Sequence, residues 1–213
     1  MLDIGNTSWE ALAGEAVAFG TAALSMPLRW MVADRTDAVS DEPPVVLAHG
    51  LFGDPTNFLA LRRRLAHRNV VSFSYRPRLD YQRLATDLLS LIDRVRRDTG
   101  VKQLDVVGHS LGGLAARYAT EIAGDDPIRR LVTLGAPYYA GRLFRRELAI
   151  FGAEDALVSR PEPRYGLRGR TRVLAACGHL ALLYHPAALG EAVAYLTLRQ
   201  APSAAERASH VAA

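Results

Sequence analysis

A serine becomes a nucleophile where its hydroxyl stands clear of its neighbours and a base can reach it. Ser110 lies in Gly108-His109-Ser110-Leu111-Gly112-Gly113, directly after the apolar run Leu104 to Val107 and directly before the helix-forming stretch Leu114 to Ala123. A serine between strand and helix, with Gly108 and Gly112 lacking the side chains that would hold the two elements apart, occupies a strained turn that exposes its hydroxyl at the sheet edge. The chemistry this predicts is acyl transfer. That reaction also needs a base, a carboxylate to orient the base, and two amide donors for the developing oxyanion.

Candidates for each follow in the chain order Ser, Asp, His. His49-Gly50-Leu51-Phe52-Gly53 comes after the first buried run, so the amide of Leu51, with that of Leu111, is expected to form the oxyanion hole. Phe151-Gly152-Ala153-Glu154-Asp155 ends a later run. Asp155 is favoured over Glu154, because the Ala-Leu-Val that follows would hold its carboxylate at the strand's carboxyl edge. His179, in Cys177-Gly178-His179 after the final run, is the expected base. Among the other histidines, His109 is expected to point away from the reaction site and His49 to brace the oxyanion loop. His67 falls in a helical pattern, His185 lies a turn or more too late, and His210 is in the tail.

These loops need a scaffold that presents them at one edge. Short β-forming runs, Val45 to Ala48, Val70 to Tyr75, Leu104 to Val107, Leu131 to Leu134, Leu148 to Phe151 and Arg172 to Ala176, alternate with longer helical patterns around Asn57 to Ala66, Tyr81 to Arg97 and Leu114 to Ala123. The runs are near-continuously apolar, as strands covered on both faces are. The alternation predicts an α/β chain with a mostly parallel central sheet flanked by helices. Pro186 to Leu198 reads as a closing helix with proline in its first turn.

At 213 residues, 49% hydrophobic and 23% charged, the chain is in the range of one globular domain. A single cysteine, Cys177, excludes an intramolecular disulfide and a cysteine-based zinc site. The net charge of +4 comes from scattered arginines without a nucleic-acid-binding motif, so no nucleic-acid partner is expected. The clusters Arg62 to Arg64 and Arg94 to Arg97 read as solvated helix faces. Arg160, Arg164, Arg168, Arg170 and Arg172 join the acid to the base, and are expected to make the mouth of the site electropositive.

The strings HGLFGDPTNF, GHSLGG, LVTLGAP, GAEDALV and CGHLALLYHP, spread over Val45 to Leu198, resemble those of the small lidless bacterial triacylglycerol lipases and esterases of the α/β-hydrolase superfamily. The resemblance implies the α/β-hydrolase fold, a Ser110, Asp155 and His179 triad, Leu51 and Leu111 as oxyanion residues, and activity on acyl esters or acylglycerols. Tyr138-Tyr139 and the segment before Val45 depart from the pattern. A cap domain is commonly inserted in this superfamily after the strand preceding the acid's strand. Here only Tyr138 to Glu147 intervenes, too little for a helical cap. A shallow pocket is therefore expected, bordered by Leu51, Phe52, Tyr138, Tyr139 and Leu180, with Phe58 and Leu157 better suited to the core.

The expected organisation is an N-terminal apolar helical extension over 1–42, the hydrolase domain over 43–199 and a flexible tail over 200–213. Trp9 to Ala33 holds both tryptophans, but Glu15 and Pro27 interrupt it as a signal or membrane span. It is expected to pack on the body through Leu12, Ala16, Phe19, Ala23 and Met26, with peripheral membrane contact as the other reading. A cytoplasmic or membrane-peripheral location fits. The leading function is a serine hydrolase of carboxylic esters with a small acyl ester or lipid as substrate. The alternatives are an acyltransferase or thioesterase of the same fold and a non-catalytic ligand-binding protein. No metal, nucleotide or organic cofactor is implied.

Overall fold

The computed structural model describes residues 8–34, 36, 40–124, 127–138, 146–159 and 170–198. Six strands, β1 (Val45–Ala48), β2 (Val70–Phe73), β3 (Leu104–His109), β4 (Ile128–Leu134), β5 (Glu147–Gly152) and β6 (Arg170–Leu174), form one sheet in the order β2-β1-β3-β4-β5-β6. Every pairing is parallel. The expected runs shift by a few residues: β4 starts earlier, at Ile128, and β6 occupies Arg170–Leu174 rather than Arg172 to Ala176.

Among the described residues five α-helices cover the sheet: α1 (Trp9–Ser25), α2 (Leu59–Arg64), α3 (Tyr81–Thr99), α4 (Leu111–Ala123) and α5 (Pro186–Thr197). On one face, α3 and α4 bury Leu84, Leu88, Ile92, Ala115 and Ala119 against Val46, Val106 and Leu131. On the other, Ala18 of α1, Leu61 of α2 and Leu189 and Ala192 of α5 pack on Leu47, Val107, Val132 and Ile150. β1 and β3 to β5 are thus covered on both sides, which is why apolar residues dominate their middles. Asp105, a buried exception, is held by Arg68 and Arg129, each at 2.6 Å.

The sheet changes direction of growth between β1 and β3. In an open α/β sheet the crevice at that point, beyond the carboxyl ends of the strands, is where ligands bind. It receives the loop after β1 and the turn after β3. Between Leu134 and Glu147 there is no room for a helical cap.

The face that α1 turns inward is the reverse of expectation. Ala11, Ala18 and Ser25 are buried, whereas Leu12, Ala16, Phe19, Ala23 and Met26 are all exposed. Seven-residue spacing puts the small residues in one stripe, and small side chains let the helix lie close on the loops beneath it. The tail over 200–213 lies outside the described residues.

Candidate active site

Ser110 follows β3 and precedes α4 with φ 52°, a left-handed conformation that a side chain adopts only when its surroundings enforce it. The enforcement is close packing. A Cβ at Gly112 would lie 2.3 Å from the carbonyl oxygens of Ala48 and His49, so only glycine lets α4 approach β1 this closely. The Ser110 amide donates to Leu134 O at 2.9 Å, and its hydroxyl is not used to cap α4.

Leu111 opens α4, so its amide is among the first-turn donors without a helical acceptor, at the positive end of the helix. The loop after β1 leans against the same place: a Cβ at Gly50 would sit 3.0 Å from Ser110 Cβ. His49, stacked on Tyr75 at 4.5 Å, is buried, and its Nδ1 donates to Gly50 O at 2.9 Å. Tyr75 in turn donates its hydroxyl to His49 O at 2.8 Å. His49 therefore braces the loop carrying Leu51, as expected, and burial pushes its pKa down toward the neutral form.

Beyond β5, Asp155 presents one oxygen to each of two tasks. Its Oδ1 accepts from the amides of Leu157 and Val158 at 2.9 and 2.8 Å, and its Oδ2 accepts from His179 Nδ1 at 2.8 Å. Both side chains are almost fully buried. With Nδ1 donating to the carboxylate, Nε2 is the nitrogen left to accept a proton. Gly135 makes the pair possible: a Cβ there would lie 3.1 Å from both Asp155 Oδ2 and His179 Nδ1. The rival Glu154 faces elsewhere, accepting the Ser8 hydroxyl at 2.7 Å and the Ser8 amide.

His109 departs from expectation. Instead of pointing away, its ring lies 4.7 Å from that of His179, and its Nε2 donates to His179 O at 3.2 Å. Full burial, reinforced by the neighbouring His179, pushes its pKa down to about 3. It is a neutral strut under the His179 loop, placed there because β3 continues through His109 and points alternate side chains to alternate faces.

Of the expected lining residues, Phe52 is 77% exposed beside the site, and Leu51 and Leu180 are half-buried. Tyr139 lies outside the described residues. Tyr138 is half-buried between Phe151, at 5.8 Å, and the Arg117 guanidinium, 3.7 Å from its ring. Burial raises its phenol to about 12. Arg117 also binds Glu147, Thr133 and the carbonyls of Ala136 and Pro137, fixing the turn that carries Gly135. Phe58 is in the core as expected, but Leu157 is 69% exposed, since the turn that binds Asp155 Oδ1 faces its side chain outward. Arg170 and Arg172 begin β6, at the end of the sheet opposite the site, and Arg172 pairs with Glu191 at 2.7 Å. They do not border the mouth, and Arg160, Arg164 and Arg168 lie outside the described residues.

A parallel sheet with a strained serine at its switch point defines an α/β hydrolase. Residues 45–209 match the model of the alpha/beta hydrolase family, and the chain belongs to it. It is similar to the esterase YbfF of Escherichia coli, 33% identical over 126 residues that make 54% of this chain and 46% of that protein. A triacylglycerol lipase of Pseudomonas fragi is 28% identical over 117 residues, 52% of this chain and 40% of the lipase. The matches thus span less than half the length of these curated relatives. Among solved structures, a membrane phospholipase A shares the fold with a TM-score of 0.61 at 14% identity, covering 86% of this chain and 91% of that one.

Proposed function

We propose that the protein is a serine hydrolase of carboxylic esters, acting on acyl esters or acylglycerols. Ser110 Oγ attacks the ester carbonyl and its proton passes to His179 Nε2. The amides of Leu51 and Leu111 hold the oxyanion, and Asp155 keeps the imidazole in the required tautomer. His179 returns the proton to the departing alcohol, and water, deprotonated by the same imidazole, releases the acid from Ser110. The observation that carries this reading is the buried 2.8 Å pair of His179 Nδ1 and Asp155 Oδ2, with the ring of His109, the chain neighbour of the strained Ser110, 4.7 Å from that of His179. The esterase and lipases among its relatives support an ester substrate. Phe52 and Leu180 supply an apolar border suited to an acyl group.

The substrate is expected at a lipid surface, which the outer face of the N-terminal segment fits. Trp9 and Trp30 are 86% and 82% exposed, and Val17, Phe19, Leu24, Leu28 and Met31 lie exposed between or beside them. An apolar patch of this kind on a globular protein marks an interaction surface. The segment is long and apolar enough to cross a membrane by length and composition, but its inner face is bonded to the hydrolase body, so a peripheral mode fits better. Arg29 stacks on Trp30 at 4.6 Å, and Arg62, at the end of α2 with Arg63 and Arg64, binds Ala33 O and Asp34. Arg62 is thus engaged within the protein, and the exposed Arg29 is the basic group beside the apolar face that suits it to anionic headgroups.

Ser110→Ala is expected to remove hydrolysis of p-nitrophenyl esters by a factor of about 10⁵ to 10⁶ in kcat. A fluorophosphonate probe should label wild type at Ser110 and fail on the variant. Turnover near wild type, or labelling at another serine, would overturn the mechanism. With phosphatidylglycerol–phosphatidylcholine vesicles, tryptophan emission should shift to the blue and lose the shift in Phe19→Ser/Leu24→Ser. An unshifted spectrum of the wild-type protein rules out the lipid surface.

A further inference from the structure

The helix that precedes the family-matched region reaches three of the loops that build the site. At its start, Ser8 caps α1, its hydroxyl accepting from Ala11 N at 3.2 Å, while its own amide and hydroxyl donate to Glu154, the neighbour of Asp155. Two turns on, Glu15 Oε1 accepts the Ala181 amide at 2.9 Å, two residues beyond His179. The side chain lies against Gly178: a Cβ there would meet Glu15 Cγ and Oε1 at 2.5 Å. At the far end Ser25 donates to Thr56 at 3.2 Å, in the segment that follows the oxyanion loop.

These loops need holding. Three non-glycine residues have positive φ among the described residues: Phe52 at 58°, Ser110 at 52° and Ala176 at 47°. They fall in the oxyanion loop, the nucleophile turn and the base loop, and such conformations persist only where the surroundings over-determine them. Ser110 is enclosed by the sheet and α4. The base loop sits at the rim, tied to the acid loop by Glu154 N to Cys177 O at 3.1 Å and to α1 by Glu15. Burial, with the nearby Glu15 and Asp155 carboxylates, pushes the Cys177 thiol up to about 11.

We propose that α1 is a clamp on the acid and base loops, and that Glu15 is the positioning residue that holds the His179 loop in register with Asp155 and Ser110. The proposal rests on the assignment of His179 as the base. A carboxylate accepting a backbone amide fixes the loop by one directional bond, and a 1 Å displacement of a catalytic group costs on the order of 10²-fold in rate.

The test compares Glu15→Ala, Glu15→Gln and Gly178→Ala with His179→Ala, reading kcat and KM on a soluble short-chain ester, the fluorophosphonate labelling rate of Ser110, and the melting temperature. Glu15→Ala should lower kcat and the labelling rate ~10- to 100-fold with KM within about twofold, assayed well below the melting point. Glu15→Gln keeps an oxygen for the Ala181 amide and should recover most of that loss. Gly178→Ala, which drives the loop off Glu15 while leaving the carboxylate in place, should reproduce the kcat defect, and serves alone if Glu15→Ala does not fold. A lower melting temperature in Glu15→Ala with unchanged kcat, or equal defects in the Ala and Gln variants, would overturn the clamp. If His179→Ala itself keeps wild-type turnover, the base assignment falls instead. Loss in His179→Ala with full rate in the folded Glu15 and Gly178 variants rejects only the clamp.

Discussion

On the nucleophile side of the site backbone meets backbone, with Gly112 leaving no space for a methyl group between α4 and the carbonyls of Ala48 and His49. On the base side the holding is done by side chains from distant parts of the chain: Asp155 on Nδ1, His109 on the carbonyl, Glu15 on the amide of Ala181. Steric contact between backbones gives no adjustable element, so that side is rigid but intolerant of substitution. Directional polar bonds to a rim loop fix an imidazole with little buried volume. They leave its position dependent on a few separate groups. The serine and the histidine should therefore respond to mutation in different ways.

On the base side the greatest loss of rate separates two adjacent carboxylates. Asp155→Asn should lower kcat by about 10⁴, because an amide in that place stabilises the wrong imidazole tautomer. Glu154→Gln keeps an acceptor for Ser8 and should cost less than about tenfold, as expected for a group that acts on α1 rather than on the imidazole. Steady-state kinetics of the two variants, each checked for folding by circular dichroism, decides between them. A larger defect in Glu154→Gln would reverse their roles.

On the nucleophile side Gly112→Ala should lose rate and stability together, since the added Cβ can be accommodated only by moving α4 from β1. Overpacking of this kind costs about 1–3 kcal/mol or more, and urea unfolding should show it as a lower midpoint. The contrast is with Glu15→Ala, where rate falls further than stability. If Gly112→Ala proves as stable as wild type with its rate intact, backbone contact is not what fixes the serine.

The same contrast explains what the sequence disclosed. The strained turn at Ser110 was legible because glycine spacing after an apolar strand is a local pattern, and the pairing of Asp155 with His179 because strand ends in the right order are nearly local. The parallel sheet was legible from its apolar runs, since strands covered on both faces leave a continuous signature. Glu15 and Ser8 were not, because their partners Ala181 and Glu154 are far along the chain and are met through a backbone amide and a carboxylate of no motif. The inward face of α1 was misread for a physical reason. Periodicity assigns large apolar residues to the protein side, but here close approach selects the small ones and leaves Leu12 and Phe19 outside. His109 departs from expectation because alternation along β3 sends its side chain under the His179 loop.

The smallest effect concerns that strut and is read in stability rather than rate. His109 is buried neutral with its pKa near 3, against a value near 6.5 once unfolded. Between those values the unfolded chain binds a proton that the folded one does not, so acid favours unfolding. The His109 contribution is therefore fully present above about pH 6.5, declines as pH falls below that value, and stops changing below about pH 3. The slope in this window is at most about 1.4 kcal/mol per pH unit from one group. His109→Gln, which retains a side-chain donor for the His179 carbonyl but does not titrate, should flatten the acid limb of stability against pH. Its kcat should fall less than that of Glu15→Ala, because Asp155 and Glu15 still hold the imidazole and its loop. Chemical denaturation at intervals from pH 4 to 8 provides the measurement. An acid limb as steep as that of wild type would mean that His49 or another group sets it, and that the base side owes its acid sensitivity to the oxyanion loop instead.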